Sequence, residues 1–177
     1  MTPDPSAALP AGLAADLALA LRLADAADVI SLSHFTGGAV DHEIKPDGSP
    51  VSAADLAVER RICEIVAAER PGDGVLGEEV GASGPAGRRW ILDGIDGTVL
   101  YVAGRRGWAT EIALEVDGEI VLGVTSGPAD GCRWWAARGG GAWHRRVATA
   151  DRPGGQEDGP APGVDEGPPG GQEDGPG

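Results

Sequence analysis

Leu13, Leu17, Ala20, Leu21 and Ala24 recur at the i, i+4, i+7, i+8, i+11 spacing of a helix with one apolar face. Gly37-Gly38 is expected to end it. Over residues 40–51 the periodicity breaks, and Pro46, Gly48 and Pro50 mark an extended turn or hairpin. A second helix is predicted from about Ser52. Ser52 and Asp55 have the spacing of a capping box, with the shorter Asp in place of Glu. Val58, Ile62, Ile65 and Val66 form its apolar face, and Pro71-Gly72 stops it. Strand patterns follow at residues 74–77 and 89–92. Residues 111–116 and 119–124 flank Asp117-Gly118, a strong two-residue hairpin signal. Residues 133–137 give another strand, closed by Gly139-Gly140-Gly141. Two helices followed by several mostly antiparallel strands predict an α+β layer structure.

The pattern stops at about Ala150. Of the last 27 residues, 15 are Gly or Pro, and the octapeptide Pro-Gly-Gly-Gln-Glu-Asp-Gly-Pro occurs at 153–160 and again at 169–176. So little apolar surface cannot offset ordering entropy, so 151–177 is expected to be a disordered acidic tail behind one domain at 1–150. Two short copies cannot stack a core of their own. The tail carries seven acids against Arg152, within a net charge of −14 for all 177 residues. Such acidity argues against nucleic acid or an anionic membrane as partner, although bound cations can reverse a local field. Cys63 and Cys132 are too few and too far apart for a disulfide scaffold, and Cys63 reads as a small core residue. Residues 1–10 lack the features of a signal peptide and no apolar run has membrane-spanning length, so the cytoplasm is the expected compartment.

The chemistry concentrates in Trp90-Ile91-Leu92-Asp93-Gly94-Ile95-Asp96-Gly97-Thr98, preceded by Leu76-Gly77-Glu78-Glu79. If the strands before Glu78 and Asp93 are neighbours, these carboxylates meet at one sheet edge, with Asp93 and Asp96 just past a strand end. Residues three apart cannot both project to one side of a regular strand. A sharp turn is therefore expected, with Gly94 and Gly97 supplying its freedom. Thr98 is expected to open a helix or turn whose free N–H groups attract phosphate. Oxygen ligands of this kind suit Mg²⁺. Two such ions could orient a phosphate and activate a water, which Glu78 and Thr98 would aim. Each Asp-Gly pair alone is an ordinary turn. The order and spacing together favour the metal reading.

With these segments the chain resembles the inositol monophosphatase family of Mg²⁺-dependent phosphatases. The resemblance runs over about residues 10–143. It includes Lys45-Pro46-Asp47-Gly48-Ser49-Pro50-Val51-Ser52-Ala53-Ala54-Asp55, the two acidic segments, Trp108-Ala109-Thr110 and residues 134–143. The wording of the first helix and of residues 45–55 is most similar to the histidinol-phosphatase branch. The resemblance implies the N-terminal domain of a layered α/β/α/β/α sugar-phosphatase fold. It further implies that Glu78, Asp93 and the Ile95 carbonyl hold one Mg²⁺, with Asp93 bridging to a second ion that Asp96 also binds. Glu78 and Thr98 would position the nucleophilic water, and the amides of Gly97 and Thr98 would hold the phosphate. Asp55 and Glu79 would lie near a third metal position, while Asp55 also has the plain role of a helix N-terminal acid. Lys45, the only lysine, reads as a solvated loop charge.

Three departures stand out. Gly94 replaces the family's usual Pro. Val99-Leu100 replace a polar or basic residue and Asn. The second domain, which carries a further Asp ligand and most substrate contacts, is expected to be missing. The implied function is Mg²⁺-dependent hydrolysis of a small phosphomonoester, foremost histidinol phosphate, then inositol phosphate, then a 3′-phosphorylated nucleotide. A homodimer is allowed for. The competing reading is an inactive truncated or frame-shifted product. Completion by another chain has no support in the sequence.

Overall fold

A computed structural model describes residues 9–35 and 38–147, together with the backbone of residues 159–160. Helix α1 (Ala11–His34) and helix α2 (Ala53–Glu69) lie on one face of an eight-stranded sheet. Between them, β1 (His42–Ile44) and β2 (Pro50–Ser52) form the expected hairpin. The large sheet comprises β3 (Gly74–Gly77), β4 (Gly81–Ser83), β5 (Arg88–Asp96), β6 (Ala109–Val116), β7 (Glu119–Gly127), β8 (Cys132–Ala137), β9 (Gly141–Arg146) and β10 (Gly159–Pro160). Its spatial order is β10-β9-β8-β7-β6-β5-β3-β4, and helix α3 (Thr98–Val102) follows β5. Every described pair is antiparallel except β3–β5, which is parallel. The two-helix, mostly antiparallel α+β architecture is the predicted one. Among the described residues no helix is long and apolar enough to cross a membrane.

The strands alternate as a sheet covered on one face must. Trp90 and Leu92, Ile112 and Leu114, Leu122 and Val124, and Trp135 and Ala137 point to the helices and are buried there. Leu17, Ala20 and Ala24 of α1 and Val58, Ile62 and Val66 of α2 meet them, and Cys63 packs at the margin. Leu19 and Leu23 are also fully buried, so α1 buries a wider face than its predicted stripe. It ends at His34 with a cap at Phe35, before the glycine pair; Gly37 lies outside the described residues.

The capping box is present. The Ser52 side chain accepts from the backbone N–H of Ala54 at 3.2 Å, and Asp55 Oδ2 accepts from the Ser52 backbone N–H at 2.9 Å. Ser52→Ala should lower stability by about 1 kcal/mol in urea unfolding, the usual cost of a lost cap; an unchanged midpoint would contradict this role. The hairpin at Asp117-Gly118 forms with Asp117 at φ 52°, as a primed turn requires. Within residues 151–177, Gly159–Pro160 pair with β9. The rest of the tail lies outside the described residues.

Candidate metal and phosphate site

The parallel register of β3 and β5 builds the site. Gly77 stands opposite Leu92, so the next residues lie level with each other, Glu78 just past the end of β3 and Asp93 still within β5. The Glu78 N–H donates to the Leu92 carbonyl at 3.2 Å, which extends the pairing into the acidic segment. In an open sheet, adjacent parallel strands place their C-terminal ends, and the groups beyond them, at one edge.

Asp93 and Asp96 do not lie past the strand, as the sequence suggested. They belong to β5, which continues through a register shift. Asp93 pairs with Glu111 and Asp96 with Ala109, so Gly94 and Ile95 together oppose Thr110 alone. This is a β-bulge, one extra residue that resets the alternation. Glu111 and Ala109 share a face of β6, so their partners Asp93 and Asp96 share one too. The bulge does what a sharp turn was expected to do. The Thr110 hydroxyl donates to the freed Gly94 carbonyl at 2.9 Å inside the core. Gly94 has no left-handed φ; it allows close approach, since a Cβ there would stand 2.7 Å from the Asp55 carbonyl oxygen.

Gly97 carries the turn itself. At φ 82° it is left-handed, and it caps α3, which Thr98 opens. The Thr98 hydroxyl donates to the Ile95 carbonyl at 2.9 Å and approaches Asp55 Oδ1 at 3.3 Å. Beneath α3, Tyr101 packs with Trp108 and Phe35, and its hydroxyl donates to the Ser31 carbonyl at 2.8 Å. This second cluster, with Ile95 and Ala54, anchors the turn at Gly97 and Thr98 to α1 and α2.

The electrostatics are those of a crowded anionic site. Burial, then the charges of Glu78, Asp96 and Glu59, pushes the Asp93 carboxyl up to about 7. Burial also raises Glu111, against the pull of a 2.8 Å hydrogen bond from Thr125. Lys45 is not a free loop charge. Its ammonium donates to Glu78 Oε1 and Glu79 Oε1, both at 2.7 Å, and these bonds hold its pKa above the ordinary lysine value. Among the described residues, no three acidic, histidine or cysteine side chains converge into a ready cage for a metal ion. Glu78 is turned onto Lys45 instead. The donor set still suits Mg²⁺, which is held by one or two carboxylates, waters and substrate phosphate rather than by an all-protein cage. The raised Asp93 marks where negative charge is uncompensated.

Asp55 is buried and engages the α2 cap and the Thr98 hydroxyl. Glu79 is engaged by Lys45. The site also contains Glu59, which the sequence reading passed over. It lies one turn after Asp55 and one turn before Ile62 and Cys63, on the buried face of α2. A carboxylate at a core-facing helix position was the signal.

The chain matches the inositol monophosphatase family over residues 13–158 and belongs to it. It is 55% identical over 130 residues to a Streptomyces griseus protein named glucose-1-phosphate thymidylyltransferase, which covers 72% of this chain and 50% of that one. It is 53% identical over 131 residues to a histidinol-phosphatase of Mycobacterium tuberculosis, with the same coverage of each chain. Among solved structures it resembles an inositol monophosphatase from Zymomonas mobilis, with a TM-score of 0.65 at 36% identity, covering 78% of this chain and 53% of that one. The chain spans about half the length of the relatives it matches.

Proposed function

We propose that this chain contributes to Mg²⁺-dependent hydrolysis of a small phosphomonoester, with histidinol phosphate as substrate and the cytoplasm as its place of action. The observation that carries the reading is the bulge in β5, which sets Asp93 and Asp96 on one face beside Glu78. Family membership and likeness to histidinol-phosphatases from Mycobacterium tuberculosis and Streptomyces coelicolor support the substrate class. Glu78, Asp93, the Ile95 carbonyl and Asp96 would hold Mg²⁺, which supplies charge neutralisation and a water of lowered pKa. Asp55 and Glu79 would face waters of a third, weaker ion. The amides of Gly97 and Thr98 would hold the phosphate oxygens at the opening of α3. Glu78 and Thr98 would aim the attacking water. For Glu78 this would require leaving Lys45, whose charge a bound cation would replace.

These 177 residues span about half the length of the relatives they match, so turnover by them alone should be slow. The test is phosphate release with and without Mg²⁺ from histidinol phosphate, inositol 1-phosphate and a 3′-phosphorylated nucleotide. Slow, Mg²⁺-dependent release, fastest from histidinol phosphate, is expected. Equal release without Mg²⁺, or a preference for another ester, would refute the assignment.

A further inference from the structure

Glu59 has no exposed surface, yet its carboxylate is surrounded by donors. Oε1 accepts from the Glu78 N–H at 3.0 Å. Oε2 accepts from the N–H groups of Glu79 at 3.0 Å and Val80 at 2.9 Å. The Gly94 backbone packs beside this side chain and also favours its charged form. Two glycines make the room: a Cβ on Gly77 would stand 2.4 Å from Glu59 Oε2, and one on Gly94 3.2 Å from Glu59 Cγ.

A buried carboxylate without a cationic partner is costly unless hydrogen bonds saturate it. Here the donors come from the segment that carries Glu78 and Glu79, and the same side chain packs against the bulge between Asp93 and Asp96 at Gly94. A core built only for stability would fill this place with an apolar side chain. We propose that Glu59 is the positioning residue of the site, its carboxylate tying the Glu78–Glu79 turn to the β5 bulge so that both carboxylate segments face one cation. This rests on the metal-dependent reading above. Glu59 lies under the backbone and contacts no substrate; it acts through the peptides that carry the ligands, as partners behind metal ligands do elsewhere.

The test compares the full 177-residue chain with Glu59→Gln and Glu59→Asp by three measurements: thermal melting, calorimetric Mg²⁺ titration, and amide exchange at Glu78, Glu79 and Val80. Gln keeps the shape but turns an NH₂ toward backbone donors. It should therefore free one side of the network. The expected result is a folded Glu59→Gln chain in which these amides exchange at least roughly tenfold faster and Mg²⁺ binds roughly 10–100-fold more weakly. Glu59→Asp, which keeps the charge, should recover part of both losses, and it carries the test if the Gln variant fails to fold. Mg²⁺ affinity within twofold of the parent, in either folded variant with unprotected amides, overturns the positioning role alone. Absence of Mg²⁺ binding in the unmodified chain overturns the metal-dependent reading and this role with it.

Discussion

Asp93→Asn should remove Mg²⁺ binding while making the metal-free chain more stable above neutral pH. Asp93 is the carboxylate proposed to touch both ions, so its loss should exceed the roughly 10–100-fold cost of losing a partner behind a ligand. The stability gain follows from its titration. Burial, reinforced by Glu78, Asp96 and Glu59, raises this carboxyl to about 7. The folded chain therefore holds the proton more tightly than the unfolded chain, whose value is about 4. The stability linked to that proton is present at low pH and is lost as pH rises from about 4 through 7. Asn cannot ionise, so the variant escapes that loss. At pH 8 it should melt a few degrees above the parent without metal, and the difference should shrink at pH 5. Saturating Mg²⁺ should raise the melting temperature of the parent and leave the variant unmoved. Identical metal-free melting at both pH values would show that Asp93 does not carry an uncompensated charge.

The second large effect lies far from the site. Arg133 is 1% exposed and enters the interface between α1 and the sheet. Its guanidinium donates to Asp25 Oδ1 and Asp28 Oδ2, each at 2.6 Å, and to Ser126 Oγ at 3.0 Å. Ser126 in turn donates to Asp28 Oδ2 at 3.0 Å. Asp25 reaches solvent, but Asp28 is largely enclosed, and burial raises its carboxyl despite the arginine. Removing the cation alone leaves that carboxylate buried and unpaired. Arg133→Met should cost about 3–5 kcal/mol, read as a fall in the urea midpoint at pH 7. The double variant Arg133→Met with Asp28→Leu should recover most of it, because an apolar pair carries no stranded charge. A single-variant loss below about 1 kcal/mol, or no recovery in the double variant, would contradict this account.

Much of the frame was readable from residue order. The apolar faces at 58, 62 and 66 and at 17, 20 and 24 are core faces, because a helix on a sheet must bury such a stripe. Asp117-Gly118 specified its hairpin, since few dipeptides accept two left-handed residues. Ser52 and Asp55 specified the start of α2. Strand β4 was hidden because Gly-Ala-Ser has no apolar alternation. The parallel pairing of β3 with β5 was left open, because strand direction depends on the intervening chain path rather than on either strand's residues. The bulge was misread as a turn after the strand. Both use Asp and Gly, and only the register against Thr110 separates them. Glu59 went unnoticed because a Glu within a helix is usually a solvated charge. Its value here comes from three backbone N–H groups distant in sequence. Lys45 looked like a loop charge for the same reason, since its partners Glu78 and Glu79 lie 33 and 34 residues away.

Glu78, Asp93 and Asp96 are proposed to share a divalent ion. Anomalous diffraction from crystals soaked in Mn²⁺, a substitute for Mg²⁺ with the same taste for oxygen, tests it without relying on turnover. We expect a strong peak between these three side chains, with Glu78 released from Lys45. A map with no peak there, or with its peaks only at other acidic surfaces, would contradict the account.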